Sequence, residues 1–490
     1  MNAEQNSRRR FLKGASALSL VAMPGVLTAK TLSTSSAPET ATPGGQRAQI
    51  NVRDLGATGD GKTKDTLALQ QALDRCNLLG GGEVLVPPGE YLTGALFLRS
   101  NTTLHLQEGA SLLGSPDIND YPLTQVRWEG RFIKGYGAFI NANSAENVTI
   151  TGKGRILASP AIPGRVRNAD GSEIVRPPAG TPHGPTSSNR VARRDIIRNP
   201  ALMEFTRVRN LLVENIYTQG NDMWSTHPLF CENVTFRNLT IISGADGIDV
   251  DSCKHVRIDN CTFETKDDCI SLKSGRGMEG NVIGVPCEDV HVSNCTFNDS
   301  GFACIGIGSE ASGGVRNLLV EHCKFTGARS YAIYIKSRIG RGAFIEDLTF
   351  NDLDVSNTRQ GFLRFNQTGS GLQDPAPVAG MDGVPHFARF KFTNIRVTDV
   401  PVLVQADEID GDKPLDGLLL KNISGTCAKG MLLANIKNAD LSEIHVTGFT
   451  GPLLSTYNVT GKGLANAATL EAPKPTPPTP PLQPPYVLGQ

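Results

Sequence analysis

The sequence predicts an all-β chain wound as a right-handed parallel β-helix, with one capping helix at its N-terminal end. Two observations predict the solenoid. A short frame recurs along the middle of the chain: "NLLVENIYT" (210–218), "NVTFRNLTI" (233–241), "HVRIDNCTF" (255–263), "DVHVSNCTF" (289–297) and "NLLVEHCKF" (317–325). Within each frame apolar residues alternate with polar ones, broken by a polar turn residue such as Asn215, Asn238, Asn260 or Asn294. Repetition at 20–50 residues marks a solenoid, and alternation at period two marks strands. Hairpin signals between the strands are sparse, which separates this pattern from propellers and sandwiches. A third observation predicts the cap. "KDTLALQQALDRCNLLGGG" places Leu69, Ala72, Leu73, Cys76 and Leu79 on one helical stripe, with Asp65 or Thr66 as cap and Gly80 as stop. An open solenoid end exposes a hydrophobic coil and unpaired strand edges, so it needs such a lid.

In chain order, residues 1–29 read as an export signal. "SRRRFLKG" carries Ser7, Arg8, Arg9, Phe11, Leu12 and Lys13 in a twin-arginine pattern, and a short apolar run leads to a cleavage point after Ala29. Residues 30–48 form a Ser/Thr/Pro-rich linker, residues 49–465 the β-helix, and residues 466–490 a proline-rich tail. A periplasmic or secreted protein is expected, free of the membrane once the signal is cleaved, and monomeric. Charge is balanced at 48 basic and 48 acidic residues without long basic runs, which points away from nucleic acid and anionic membranes. Of the ten cysteines, Cys253, Cys261, Cys269, Cys287, Cys295, Cys304 and Cys323 fall in the repeated frames. They are expected to be small buried fillers, stacked with the asparagines into internal ladders about 4.8 Å apart. No CxxC pair and only eight histidines are present, so neither metal nor cofactor is expected.

The chemistry concentrates at "GADGIDVD" (244–251) and "KDDCISLKS" (266–274). Neighbours on a strand point to opposite faces, so Asp267 and Asp268 share a groove only if the backbone turns there. Asp246 precedes Asp267 by 21 residues, close to one coil, which predicts matching corners and three carboxylates on one patch. Carboxylates this close cannot all ionise at ordinary values, so one retains a proton while its partners activate water. That is the requirement of glycosidic bond hydrolysis, although Asp is also a common turn residue.

From about Ile50 to Gly361 the chain resembles glycoside hydrolase family 28, the polygalacturonase-like β-helix enzymes that degrade pectin. The opening "INVRDLGATGDGKTKDTLALQQALDRC" and the segment "RNPALMEFTRVRNLLVENIYTQGNDMWSTHPLFCENVTFRNLTI" carry the likeness, with the intact pair Asp267 and Asp268 followed by "CISLKSG". The resemblance implies that Asp267 protonates the leaving oxygen. Asp246 and Asp268 would deprotonate the attacking water, with inversion at the anomeric carbon. It also implies a poly- or oligosaccharide substrate.

Three signature pieces depart. Asn-Thr-Asp reads Gly244-Ala245-Asp246, the Gly-His-Gly histidine falls on Phe302 or Ala303, and Arg-Ile-Lys reads Tyr334-Ile335-Lys336. A phenol replaces a bidentate guanidinium poorly, so a less acidic sugar or a differently placed uronate is expected. Lys336, Tyr334, Arg338, Arg276 and Trp224 are the substrate-binding candidates, and Arg341 is a further loop cation. His227 is expected to be structural, and Asp249 to support the site by hydrogen bonding. The insertions 158–195 and 366–387 are placed to close the groove and favour exo action. Two other readings remain: a sugar-binding β-helix with a decayed site, and a Ca²⁺-dependent lyase with Lys273 or Lys336 as base.

Overall fold

The computed structural model describes residues 48–173 and 196–474. The expected export signal, nearly all of the expected linker, part of the first insertion and most of the proline-rich tail lie outside the described residues. Thirty-one strands belong to one sheet system, and every neighbouring pair in it runs parallel from coil to coil. This is the right-handed parallel β-helix. Stacked partners are 20 residues apart in sequence at Gly82 and Thr102 and 63 apart at Val148 and Leu211. Insertions are therefore expelled between strands while the ladder register is kept.

The alternation seen in the sequence becomes an inside and an outside. In Glu232–Arg237, Val234 and Phe236 are buried while Glu232 and Arg237 face out. Inward residues stack on their counterparts one coil away: the rings of Phe263, Phe297 and Phe325 lie 5.2 and 4.7 Å apart. All ten cysteines are unpaired thiols and buried. Several sit just past a corner and donate to a strand carbonyl, as Cys231 does to Phe205 (3.1 Å) and Cys253 to Pro228 (3.3 Å). A small apolar residue with a weak donor suits a buried corner that leaves carbonyls unmatched.

The asparagines behave differently from expectation. They are exposed, on the outer corners, in the left-handed region: Asn147, Asn210 and Asn233 have φ of 54°, 61° and 58°. Asn tolerates this conformation better than other side chains. Each amide also donates to the next coil, Asn147 to Asn101 (2.7 Å), Asn210 to Asn147 (2.8 Å) and Asn233 to Asn210 (3.0 Å). The ladders are external because the corner, not the core, needs a positive φ.

The helix Thr66–Leu78 covers the first coils with Ala68, Leu69, Ala72, Leu73 and Cys76. Leu79 leaves the predicted stripe and is 60% exposed. Asp65 holds the cap position, but its carboxylate accepts from the amides of Thr58 and Gly59 instead of the helix. Among the described residues no helix is long and apolar enough to cross a membrane.

One unexpected element matters for the site. Leu123–Trp128, Arg131–Tyr136, Val166–Asn168 and Ile196–Arg198 form a separate four-stranded sheet, with antiparallel pairs at 123–136 and 166–198. Its first turn is Glu129-Gly130, both at positive φ (43° and 75°). Glu-Gly is a weak hairpin signal beside Asn-Gly or Asp-Gly, so the sequence pattern does not announce it. Arg127, fully buried, pins this sheet to the solenoid through Asp251, with Nε to Oδ2 at 3.0 Å.

Candidate active site

The groove strands Thr226–Leu229, Ile248–Asp251, Ile270–Lys273, Ile305–Ile307, Tyr331–Lys336 and Gly361–Asn366 lie side by side in register. Asp267 and Asp268 stand in the bend that leads into Ile270–Lys273, as the need for a turn predicts. The ladder pairs Ile248 with Ile270, and the amide of Gly247 donates to the Asp268 carbonyl (3.0 Å). Asp246 is thereby stacked on Asp268, 22 residues on, and not on Asp267 as a 21-residue spacing suggested. The three carboxylates do converge, with Asp267 the outermost.

Each has its own partners. Asp268 accepts from the Ala303 amide (3.1 Å), Lys336 Nζ (3.0 Å) and Ser271 Oγ (3.2 Å). Asp246 accepts from Lys273 Nζ (3.0 Å) and faces the same Ser271 hydroxyl (3.2 Å). That hydroxyl has one proton, so it serves one carboxylate at a time. Gly306 lies across from Ser271, and a Cβ there would meet Asp268 Oδ2 at 2.3 Å. Only glycine admits the carboxylate at that distance, so Gly306→Ala is expected to displace Asp268. A loss of at least ~10-fold in kcat with Tm held is the outcome to measure.

The electrostatics separate the three. Burial opposes ionisation of Asp246, but Lys273 and Arg165 outweigh it and hold its pKa below the ordinary value. Burial, then the charges of Asp246 and Asp268, push Asp267 up to about 6 despite the pull of Arg165. Asp249 is buried beside Asp246, and burial and that neighbouring charge push it well above the usual range. Of that pair Asp246 is the one that ionises. Lys273 also contacts Asp249 and lies 4.0 Å from the Trp224 ring centroid, and the carboxylates raise its pKa against burial. Lys336 is raised likewise, mainly by Asp268.

The predicted binding residues part company. Tyr334 and Lys336 line the site, with Lys336 Nζ 4.5 Å from the Phe302 ring and 5.4 Å from the Tyr334 ring. Phe302 packs on Tyr334 at 5.6 Å, whereas Ala303 is fully buried, so Phe302 takes the groove-facing place. Trp224 is buried beneath the carboxylates against Trp128 (4.9 Å) and offers no face to a sugar. Arg276 is also buried, its guanidinium bound to Asp374 (2.9 Å), Glu129 (3.0 Å) and the Leu372 carbonyl (3.0 Å). It clamps the side-sheet turn to the second insertion. Arg341 is buried on Asp374 in the same clamp, and Arg338 donates to the Gly371 carbonyl. His227 is fully buried against Glu204 (3.1 Å), a structural place.

Two cations escaped the sequence reading. Arg165, at the edge of the side sheet, donates from Nη2 to Asp267 Oδ2 at 2.7 Å. Nothing in an arginine-rich insertion singles it out. Arg364 is the register partner of Tyr334 one strand on, with its guanidinium 5.6 Å from the Tyr334 ring and hydrogen-bonded to Glu408 (2.7 Å). Its one-coil offset from the displaced signature arginine is the signal that could have found it.

The model of glycosyl hydrolases family 28 matches residues 182–365, and one for rhamnogalacturonase A/epimerase, pectate lyase-like, matches 49–117. A probable polygalacturonase of Vitis vinifera is 27% identical over 387 residues, covering 76% of this chain and 73% of its own. An exo-poly-alpha-D-galacturonosidase of Dickeya chrysanthemi is 26% identical over 413 residues, covering 75% and 65%. The structure of an exopolygalacturonase from Thermotoga maritima superposes with a TM-score of 0.65 at 27% identity, over 82% of this chain and 92% of that one. The family model spanning both aspartate segments, and relatives sharing the winding around them, support a polygalacturonase-like member of glycosyl hydrolases family 28, a glycoside hydrolase acting on O-glycosyl bonds.

Proposed function

We propose that the protein is an exported, inverting hydrolase of pectic polysaccharides, acting from chain ends. Asp267 serves as general acid, and Asp246 and Asp268 position and deprotonate water. One observation carries the assignment: Asp267 is pushed up to about 6 while Asp246 is held low, and titratable neighbours driven apart divide acid from base. In the step, the Asp267 proton passes to the glycosidic oxygen as the C1–O bond breaks. Water from the Asp246–Asp268 side adds to C1 and leaves its proton on that pair. Exo action is supported by the side sheet and the 366–385 segment flanking the groove, joined through Arg276. A lyase base must be a neutral amine at working pH, and carboxylates hold both Lys273 and Lys336 protonated.

The test is product release from polygalacturonate, rhamnogalacturonan and neutral pectic oligomers, with the anomer followed by proton NMR. Saturated ends of inverted configuration are expected. An ultraviolet-absorbing, chelator-sensitive product would indicate a lyase, and silence on every sugar with retained binding would indicate a binding module. The pH profile is a separate expectation: kcat/KM falls as pH rises through about 6, where free Asp267 loses its proton, and falls again in acid below 3.8 as Asp246 gains one. An alkaline limb above pH 8 would remove Asp267 from the role.

A further inference from the structure

We propose that Arg165 is the group that reads a sugar carboxylate in this groove, and that the bound carboxylate draws its guanidinium off Asp267. The proposal deepens the hydrolase reading and rests on it. It starts from an imbalance of cations. Lys273, Lys336, Arg276 and Arg341 are all buried or nearly so and committed to protein carboxylates. Arg165 differs: its side chain is 32% exposed, its partner Asp267 30%, and their contact lies at the groove mouth. Among the described residues its guanidinium makes one hydrogen bond, from Nη2. Its other donors are left for a ligand, and a planar fork suits a carboxylate.

The mount is built. The Gly164 amide donates to Asp222 Oδ2 (2.8 Å), and Asn221 Nδ2 donates to the Ile162 carbonyl (3.0 Å). Asn199, fully buried, donates to the carbonyls of Pro163 and Gly164 (2.9 Å each), and its own amide donates to the Arg165 carbonyl (3.0 Å). Asp222, Asn221 and Asn199 thus fix the backbone on both sides of a side chain whose head stays at the surface. Ordering a backbone so fully around one exposed arginine is the arrangement of a recognition residue. It also offers a substitute for the guanidinium missing at Tyr334, delivered from beside the side sheet and not from a solenoid strand.

The same contact ties recognition to the proton. Asp267 faces Arg165 from the side sheet, and Asp246, Asp268 and Lys336 from the solenoid. When a substrate carboxylate takes the Arg165 donors, Asp267 loses its direct cation and keeps two anionic neighbours. It then takes a proton from solvent, which the leaving oxygen requires.

Binding separates this inference from the hydrolase reading, since it needs no turnover. In an Asp246→Asn background, trigalacturonate and its methyl ester are titrated calorimetrically against proteins with Arg165 intact, Arg165→Gln and Arg165→Lys. The intact protein is expected to bind the acid at least ~10-fold tighter than the ester. Gln should abolish that preference with ester affinity held within ~2-fold, and Lys should restore part of it. Equal affinity for acid and ester in the intact protein, or an equal loss of both in the Gln variant, overturns the proposal. For the proton, wild type on an acidic oligomer should show its alkaline limb in kcat at higher pH than in kcat/KM, and Arg165→Gln should bring the two limbs together. Coincident limbs in wild type would also overturn it.

Discussion

Asp267→Asn is expected to lower kcat/KM by about 10²–10⁴-fold, the range for losing a positioned general acid. Asparagine keeps the shape and can still accept from Arg165 Nη2, so substrate affinity should change far less than turnover. Stability should move in the opposite direction to activity. The folded carboxyl is raised from 3.8 to about 6, so its contribution is complete below pH 3.8 and is lost as pH rises through 6. Two pKa units correspond to at most about 3 kcal/mol of stability lost across that window. Asparagine has no such loss, so thermal unfolding of the variant should gain on wild type between pH 4 and pH 7. Activity within ~10-fold of wild type would sink the general-acid role, and a Tm difference that does not change with pH would sink the electrostatic account of it.

The fold and the carboxylates were legible in the sequence because both are local. Alternation in "NVTFRNLTI" states which residues of one strand face in, and the Asp267–Asp268 pair can share a groove only at a bend. Register was legible to within a residue, and that residue exchanged Asp267 for Asp268 as the partner of Asp246, because spacing alone does not say where a corner begins. The substrate-binding candidates were read by motif position, which does not report burial. Arg276 and Trp224 occupy the expected places but are turned into packing and ion pairs. The side sheet was illegible: its hairpin turns on Glu-Gly, and Val166–Asn168 pairs with Ile196–Arg198 across a long insertion. Arg165 depends on that sheet, and so does any account of which sugar the groove selects.

Arg127 is the residue through which this can be tested, and Arg127→Met is expected to cost about 3–5 kcal/mol, as when one partner of a buried ion pair is removed. Arg127 is fully buried, bonded to Asp251 (3.0 Å) and held between the rings of Phe132 and Phe230 at 5.0 and 5.5 Å. Methionine keeps much of the packing but strips the charge, leaving Asp251 with His227 (3.7 Å) and the Ser252 hydroxyl (2.8 Å). Burial opposes ionisation of Asp251, yet Arg127 and His227 hold its pKa far below the carboxylate range. Its stabilisation is therefore present above the unfolded value near 3.8 and disappears as pH falls, and the variant should lose most at neutral pH and least in acid. Urea unfolding at pH 7 and pH 2 measures both, with an unchanged slope expected if only the native contact is lost. Arg127→Met combined with Asp251→Asn should recover a large part of the loss, because it removes the orphaned charge. If the single variant costs under ~1 kcal/mol, the pair is not what holds the sheet to the solenoid. If it costs the expected amount, preference for the acidic oligomer should fall with it, because the strand that follows Arg165, Val166–Asn168, belongs to the sheet that Arg127 anchors.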